Sequence, residues 1–351
     1  MLNSDEKYSI ISCSSLSVVL FLRQHGCNFV ISSIINTGKI PVLLAPMAGI
    51  TDLPFRNAVN KFGVDMCFSE MVADRNLLCD GSKSRKILLG SNFFNTAVQL
   101  AGCEPKVMSE AAKLASDLGA GAIDINMGCP AKKVVGGYSG SALMRDLKKA
   151  ASIINSVVNA VDIPVSLKAR LGWDDSSKNA KELGVIAEKC GVQSFTIHGR
   201  TRNQFYKGAA DWKAILEIKQ AVKIPVVTNG DIVDVSSAAK ALRFSGSDGL
   251  MVGRGIIGKP WLISQISAYL NKETQPEIPK GQKLIEIVAV HYDDMLSFYG
   301  NNLGVRVARK HLKQYLEFFG LPKKLSNEFL REDCPKKVIR RLFELQKRVN
   351  P

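Results

Sequence analysis

An alternation repeated along most of the chain constrains its fold more than any other feature. From Pro41 onward a short β-branched run, a Gly-containing or polar turn and a stretch with helical spacing of apolar residues recur about every 30 residues. The runs are Pro41 to Met47, Met66 to Met71, Thr96 to Gly102, Ala122 to Cys129, Pro164 to Leu171, Ser194 to Arg200, Ile224 to Gly230 and Gly249 to Gly255. Parallel strands need a long crossover, usually a helix, so eight runs read as eight βα units. Between them Ile154, Val157, Val158 and Val161 share one helical face, and Ala239, Ala241 and Leu242 another. The pattern predicts an α/β fold, a closed (β/α)8 TIM barrel, over its rival, an open doubly wound sheet. A doubly wound nucleotide binder carries G-x-G-x-x-G after its first strand. Here that turn reads Ala45-Pro-Met-Ala-Gly-Ile-Thr-Asp-Leu-Pro54.

The runs stop after about Lys272, and Pro276, Pro279 and Gly281 mark a boundary before a helical tail. Three segments are expected: an N-terminal extension over 1–35 that is poorly ordered and has no assigned function, a catalytic barrel over 36–275, and a small basic helical domain over 276–351. In the tail, Ala308, Leu312, Tyr315, Leu316 and Phe319 form one apolar face, while Arg306, Arg309, Lys310 and Lys313 fall on or near the other. Residues 301–351 hold thirteen Lys or Arg against five Asp or Glu, so a surplus of eight out of the net +15 sits there. A solvated helix face is the plain alternative, but clustering of this kind points to a polyanion such as nucleic acid.

Eight dispersed cysteines with no C-x-x-C pair, and only four histidines, exclude a zinc knuckle and a disulfide framework, so no metal is expected. No apolar run reaches the ~18 residues of a membrane helix, and Tyr8 to Leu22 lacks the flanks of a signal peptide. A cytoplasmic protein with no membrane contact is expected; no protein partner is implied.

Chemistry is sought at the C-terminal ends of the runs, where barrel enzymes place it. The last two end in Thr228-Asn-Gly-Asp231 and Gly253-Arg-Gly255. Such loops let backbone N–H groups approach a phosphate, and together they are moderately specific for one. Lys168 ends the fifth run, where a cation would stabilise an electron-rich ring such as a reduced flavin. His198 ends the sixth run and Gln99 ends the third; each alone is more often structural than catalytic. Cys129 follows the fourth run between Gly128 and Pro130, a sharp exit that aims the thiol into the mouth. A thiol, with an ordinary pKa near ~8.5, is mostly protonated at neutral pH and can serve as a general acid. Cys67, Cys103 and Cys190 read as inert small hydrophobes.

The segments Leu44-Ala-Pro-Met-Ala-Gly-Ile-Thr-Asp52, Asp124-Ile-Asn-Met-Gly-Cys-Pro130, Lys168-Ala-Arg-Leu-Gly-Trp173, His198-Gly-Arg-Thr-Arg202 with Asp211-Trp212, Thr228-Asn-Gly-Asp231 and Gly253-Arg-Gly255 resemble those of the flavin-dependent tRNA-dihydrouridine synthases, the bacterial B-type subfamily above all. The resemblance runs from about residue 38 to 347. It implies an FMN-binding barrel, a helical domain that helps hold tRNA, and NADPH as reductant. It places FMN contacts at Pro46, Met47, Ala48, Gln99, Lys168, Asn229, Gly230, Asp231, Gly253 and Arg254, with His198 near flavin and base and Asn126 beside the base. Arg170 and Arg200, within the matching segments, are expected to contact the substrate together with Arg306, Arg309, Lys310 and Lys313. In the family the matching cysteine donates a proton to uracil C5 while the flavin delivers hydride to C6, a role that falls here on Cys129. Two other functions compete: an FMN barrel acting on a free pyrimidine, which leaves the basic tail unexplained, and a flavin-free RNA-binding protein.

Overall fold

The computed structural model of the chain describes residues 31–79 and 95–347. Eight parallel strands form the barrel: β1 Val42–Leu44, β2 Met66–Phe68, β3 Thr96–Ala101, β4 Ala122–Met127, β5 Val165–Arg170, β6 Ser194–His198, β7 Val226–Asn229 and β8 Gly249–Val252. Each pairs with the next, and β1 also pairs with β8, with Leu44 opposite Val252, so the ring is closed. The second run is shorter than its sequence suggests: Val72–Ala73 leaves the ring and pairs only with Leu100–Ala101 of β3.

Alternation along the strands sorts the side chains. Ile123, Ile125 and Met127 of β4, Leu167 and Ala169 of β5 and Phe195 and Ile197 of β6 pack against the surrounding helices. The opposite set contains Gln99, Asp124, Asn126, Ser166, Lys168, Thr196, His198 and Asn229, all buried. Toward the N-terminal end of the strands the filling turns apolar, with Leu43, Met66, Ala97, Ala122, Val227 and Met251 in one cluster.

Ile31 joins that same cluster from the helix Ile31–Asn36, which buries Ile31 and Ile34. The expected poorly ordered extension over 1–35 is therefore corrected for residues 31–35. Two isoleucines three apart are too few to register as a helical period; Ile31 is held by the apolar filling at the N-terminal end of the strands, with Ile35 packed against it. The remainder of that expectation, residues 1–30, lies outside the described residues. Among the barrel helices, Leu147–Val158 buries Ile154 and Val157 as its spacing predicts. In Val235–Ser245 the buried alanines are Ala238 and Ala241, so the expected face is rotated by one residue from Ala239.

The last barrel helix, Leu262–Leu270, is followed by the helices Gly281–Tyr299, Asn301–Phe318, Lys323–Leu330 and Pro335–Glu344. Their core gathers Leu284, Ile285, Val288, Leu312, Tyr315, Leu316, Phe329 and Leu342, with Trp261 reaching in from the barrel side. Several contacts fix this domain to the barrel, two of them at the first barrel helix. Tyr299 donates to Asp52 Oδ2 at 2.8 Å, while Asp52 Oδ1 accepts the Phe55 N–H at 3.0 Å and caps the helix Leu53–Asn60. Phe55 also lies with its ring 5.0 Å from His311, itself 4.9 Å from His291. No helix among the described residues is long and apolar enough to cross a membrane.

Burial pushes His291 down to about 3, and His311 is likewise pushed well below its ordinary range by burial and by His291 and Lys310. The unfolded chain takes up protons at these residues near pH ~6.5, whereas the folded chain keeps them neutral. Their contribution to stability is thus complete above pH ~6.5 and is lost progressively as pH falls toward the folded values. Neither ring nitrogen of His311 has a hydrogen-bond partner, so His311→Phe orphans nothing. The melting temperature of the wild type should fall several degrees more between about pH 7 and about pH 5 than that of His311→Phe. Parallel melting curves would refute this.

Candidate active site

The C-terminal ends of the strands surround a cavity of about 760 Å³. It is lined by the expected Pro46, Met47, Ala48, Gln99, Lys168, His198, Asn229, Gly230, Asp231, Gly253 and Arg254, by Asn126 and Cys129, and by one edge of Arg170. Strand register explains the convergence: Gln99 lies opposite Asp124, Asn126 opposite Lys168, and His198 opposite Asn229.

Its polar side chains form two connected sets. Lys168 Nζ donates to Asn229 Oδ1 at 3.0 Å, and Asn229 Nδ2 donates to the Met251 carbonyl at 2.8 Å. On the other side Gln99 Nε2 donates to Asp124 Oδ2 at 2.6 Å, Asn126 Nδ2 to Gln99 Oε1 at 2.8 Å, and the Cys129 N–H to Asn126 Oδ1 at 3.0 Å. Burial lowers the pKa of Lys168 while the Asp124 carboxylate opposes the shift; burial raises Asp124 while Gln99, Ser166 and Lys168 oppose it. His198 is held well below its ordinary range by burial and by Lys168, Arg170, Arg200 and Arg254, which favours the neutral imidazole. Cys129 lines the cavity; Ser141 N–H and Oγ both donate to its carbonyl, at 3.1 and 2.8 Å.

Backbone geometry shapes the opposite wall. Gly230 has φ +117°, and a Cβ there would stand 2.7 Å from His198 Cδ2, so only glycine lets this turn pass the imidazole. At Gly253 a Cβ would meet only Ala45 and Met47, at 3.6 and 3.7 Å. That leaves a shallow cradle beside Arg254. A buried cation, neutral amides, a small-residue cradle and an exposed arginine at strands seven and eight are a donor set that fits FMN.

Several expected contacts take other roles. Arg170 donates to the carbonyls of Gly128 at 2.8 Å, Thr201 at 3.0 Å and Phe205 at 2.8 Å. Arg200 donates to the carbonyls of Gly208 at 2.6 Å and Lys207 at 3.2 Å and to Asp231 Oδ2 at 2.6 Å. Both guanidiniums brace the loops around the mouth, Arg170 while also lining the cavity; burial without such partners would leave five N–H groups unmet. The Asp231 carboxylate accepts from Arg200 and from the Ala210 N–H, at 2.8 Å, so it is engaged by protein donors and its charge would repel a phosphate. In the tail, Arg306 is exposed, Arg309 pairs with Asp333 at 2.6 Å, and Lys313 lies 3.7 Å from Glu317. Lys310 reaches the barrel, its Nζ 3.4 Å from where a Gly49 Cβ would be. None of these four lines the cavity.

Sequence reasoning missed Tyr206. It lines the cavity with Phe205 and is 53% exposed, its ring 4.6 Å from Arg254 Cζ and 5.5 Å from Arg170 Cζ. An aromatic pair in an otherwise polar loop after the sixth run was the available signal. No group of three or more metal-ligating side chains occurs among the described residues.

A closed parallel barrel with a largely apolar cavity holding a few convergent polar side chains at its strand C-termini defines the class: a (β/α)8-barrel enzyme. Residues 43–344 match the family described as Dihydrouridine synthase (Dus). The chain belongs to this family. A probable tRNA-dihydrouridine synthase of Rickettsia conorii is 52% identical over 283 residues, covering 80% of this chain and 85% of that protein. One of Rhodobacter capsulatus is 52% identical over 299 residues, covering 84% and 91%. The tRNA-dihydrouridine synthase B of Proteus vulgaris is 44% identical over 278 residues, covering 79% and 86%. Among solved structures, histamine dehydrogenase from Rhizobium sp. 4-9 shares the fold at 12% identity and TM-score 0.50, over 72% of this chain and 48% of that one.

Proposed function

We propose that this protein is a cytoplasmic tRNA-dihydrouridine synthase that reduces the C5=C6 bond of uridines in tRNA, using FMN re-reduced by NADPH. The observation that carries the reading is the meeting of Cys129, Asn126, Lys168 and His198 in one cavity that the Gly230 and Gly253-Arg254 turns also line. FMN, when bound, supplies the hydride that goes to C6.

The chain's own residues do the rest. Gly230, Gly253 and Arg254 would hold the phosphate, with Pro46, Met47 and Ala48 against the ring system. Lys168, kept in place by Asn229, would offer its ammonium to the electron-rich reduced cofactor, with the Gln99 amide as a further hydrogen-bonding group. Neutral His198 adds a hydrogen-bonding partner near the base without a competing charge. Asn126 stands beside the base, and the Cys129 thiol gives its proton to C5. A uridine stacked in folded tRNA must be extruded to reach this depth, and Tyr206 at the mouth offers a face on which a base can stack. Arg306, Arg309, Lys310 and Lys313 would hold surrounding phosphates.

The test is mass-spectrometric mapping of dihydrouridine in tRNA from cells with and without the gene. Loss at defined positions, restored by the wild-type gene, is the expected result. Unchanged dihydrouridine with sister enzymes deleted, together with salt-insensitive turnover of a free pyrimidine, would replace this reading with the small-substrate reductase.

A further inference from the structure

We propose that Asp124 is a positioning residue: through Gln99 and Asn126 it sets the direction of a hydrogen-bond chain that ends on the backbone of Cys129 and so holds the thiol in the cavity. Its significance for turnover rests on the proposed reductase reading; the contacts themselves do not.

Asp124 is fully buried, and the proposed chemistry gives it nothing to do. Its oxygens accept from Gln99 Nε2 and from Ser166 Oγ, both at 2.6 Å. The charged group facing it is Lys168, on the neighbouring strand β5. An ionised carboxylate only accepts hydrogen bonds; at the other end of the chain the N–H groups of Gly128 and Cys129 only donate. Two carboxamides strung between such ends can satisfy every contact in one sense alone. Gln99 must turn its NH2 to Asp124 and its oxygen to Asn126. Asn126 must then turn its NH2 to Gln99 and its oxygen to the two backbone N–H groups. The observed chain has this sense throughout: Asn126 Nδ2 donates to Gln99 Oε1 at 2.8 Å, and Asn126 Oδ1 accepts from Gly128 and Cys129 at 3.2 and 3.0 Å. Bonds aligned in one sense polarise and strengthen one another.

Asp124→Asn keeps the shape and removes the direction. The new amide can offer its own NH2 to Gln99, which lets Gln99 turn over and withdraw its oxygen from Asn126. The turn carrying Cys129 then loses its side-chain acceptor.

The experiment measures three quantities on the full-length protein at saturating FMN. These are hydrogen exchange of the Gly128 and Cys129 amides, iodoacetamide labelling of Cys129 by peptide mapping, and single-turnover dihydrouridine formation. Asp124→Asn should speed exchange at both amides roughly tenfold, the counterpart of one lost net hydrogen bond, shift labelling of Cys129 severalfold and lower turnover. Ser166→Ala, which leaves the chain intact, should leave that exchange as in the wild type. Unchanged exchange in Asp124→Asn, or equal loosening in Ser166→Ala, would overturn the proposal, the latter by showing a general disturbance of the core.

Should Asp124→Asn not fold, the wild type provides the same comparison. Burial raises Asp124, so acidification protonates it and gives the terminal acceptor a donor. Protection at Gly128 and Cys129, corrected for intrinsic exchange, should then fall between about pH 8 and about pH 5 while that of the barrel helices holds; flat protection overturns the proposal. Loosened amides with undiminished turnover would uphold the positioning role and instead remove Cys129 as the acid.

Discussion

Cys129→Ala is expected to lower single-turnover dihydrouridine formation by roughly 10³-fold while FMN and tRNA still bind, a loss within the range for removal of a general acid. The structure makes this substitution unusually clean. Cys129 is anchored through its backbone: its N–H donates to Asn126 and its carbonyl accepts both Ser141 donors. Alanine keeps those bonds and the Cβ, so only the sulfur and its proton leave. The cavity wall contributed by Lys168, Asn229 and Gly253 is untouched. Flavin absorbance, tRNA affinity and the rate of flavin reduction by NADPH should therefore match the wild type. Turnover within severalfold of the wild type would show that water or another group protonates C5.

The double reversal Arg306→Glu with Lys313→Glu is expected to weaken tRNA binding by roughly 10–100-fold at fixed moderate salt and to lower the slope of log affinity against log salt by about 2. Both side chains are exposed, one helical turn on either side of Lys310, which reaches the barrel beside Gly49. Lys313 would give up only a surface pair with Glu317 at 3.7 Å, a contact of little weight for stability. Neither residue lines the cavity, so flavin reduction should not change. Arg309 is a poorer choice, because its pair with Asp333 at 2.6 Å ties its helix to the loop before Pro335–Glu344. A filter-binding titration with unchanged affinity and slope would move the RNA surface away from this helix.

Much of the site was readable before the fold was known. Lys168, His198 and Cys129 each end a β-branched run beside glycine, proline or polar residues, and a strand end in a barrel of this class is where chemistry collects. Less legible are the protein partners of the charged residues. Arg170 and Arg200 carry the charge a polyanion would need, yet their N–H groups meet carbonyls at Gly128, Thr201, Phe205, Lys207 and Gly208. A guanidinium looks the same in sequence whether a phosphate or a loop carbonyl awaits it. Asp124 stood within a recognised motif, but its part is visible only beside Gln99, Ser166 and Lys168 on two other strands.

The order and number of the βα units, the residue types at each strand end and the excess of positive charge in the tail are all legible in the chain before it folds. These depend on local periodicity and turn-forming residues, which act over a few positions. Only the closed barrel settles which alternate side chains face inward, how Lys168 meets Asn229 61 residues away, and which loop carbonyls Arg170 and Arg200 brace. Closure of β1 onto β8 underlies those decisions: once the ring shuts, most of the inward polar groups meet partners on neighbouring strands, as Gln99 does with Asp124 and Lys168 with Asn229.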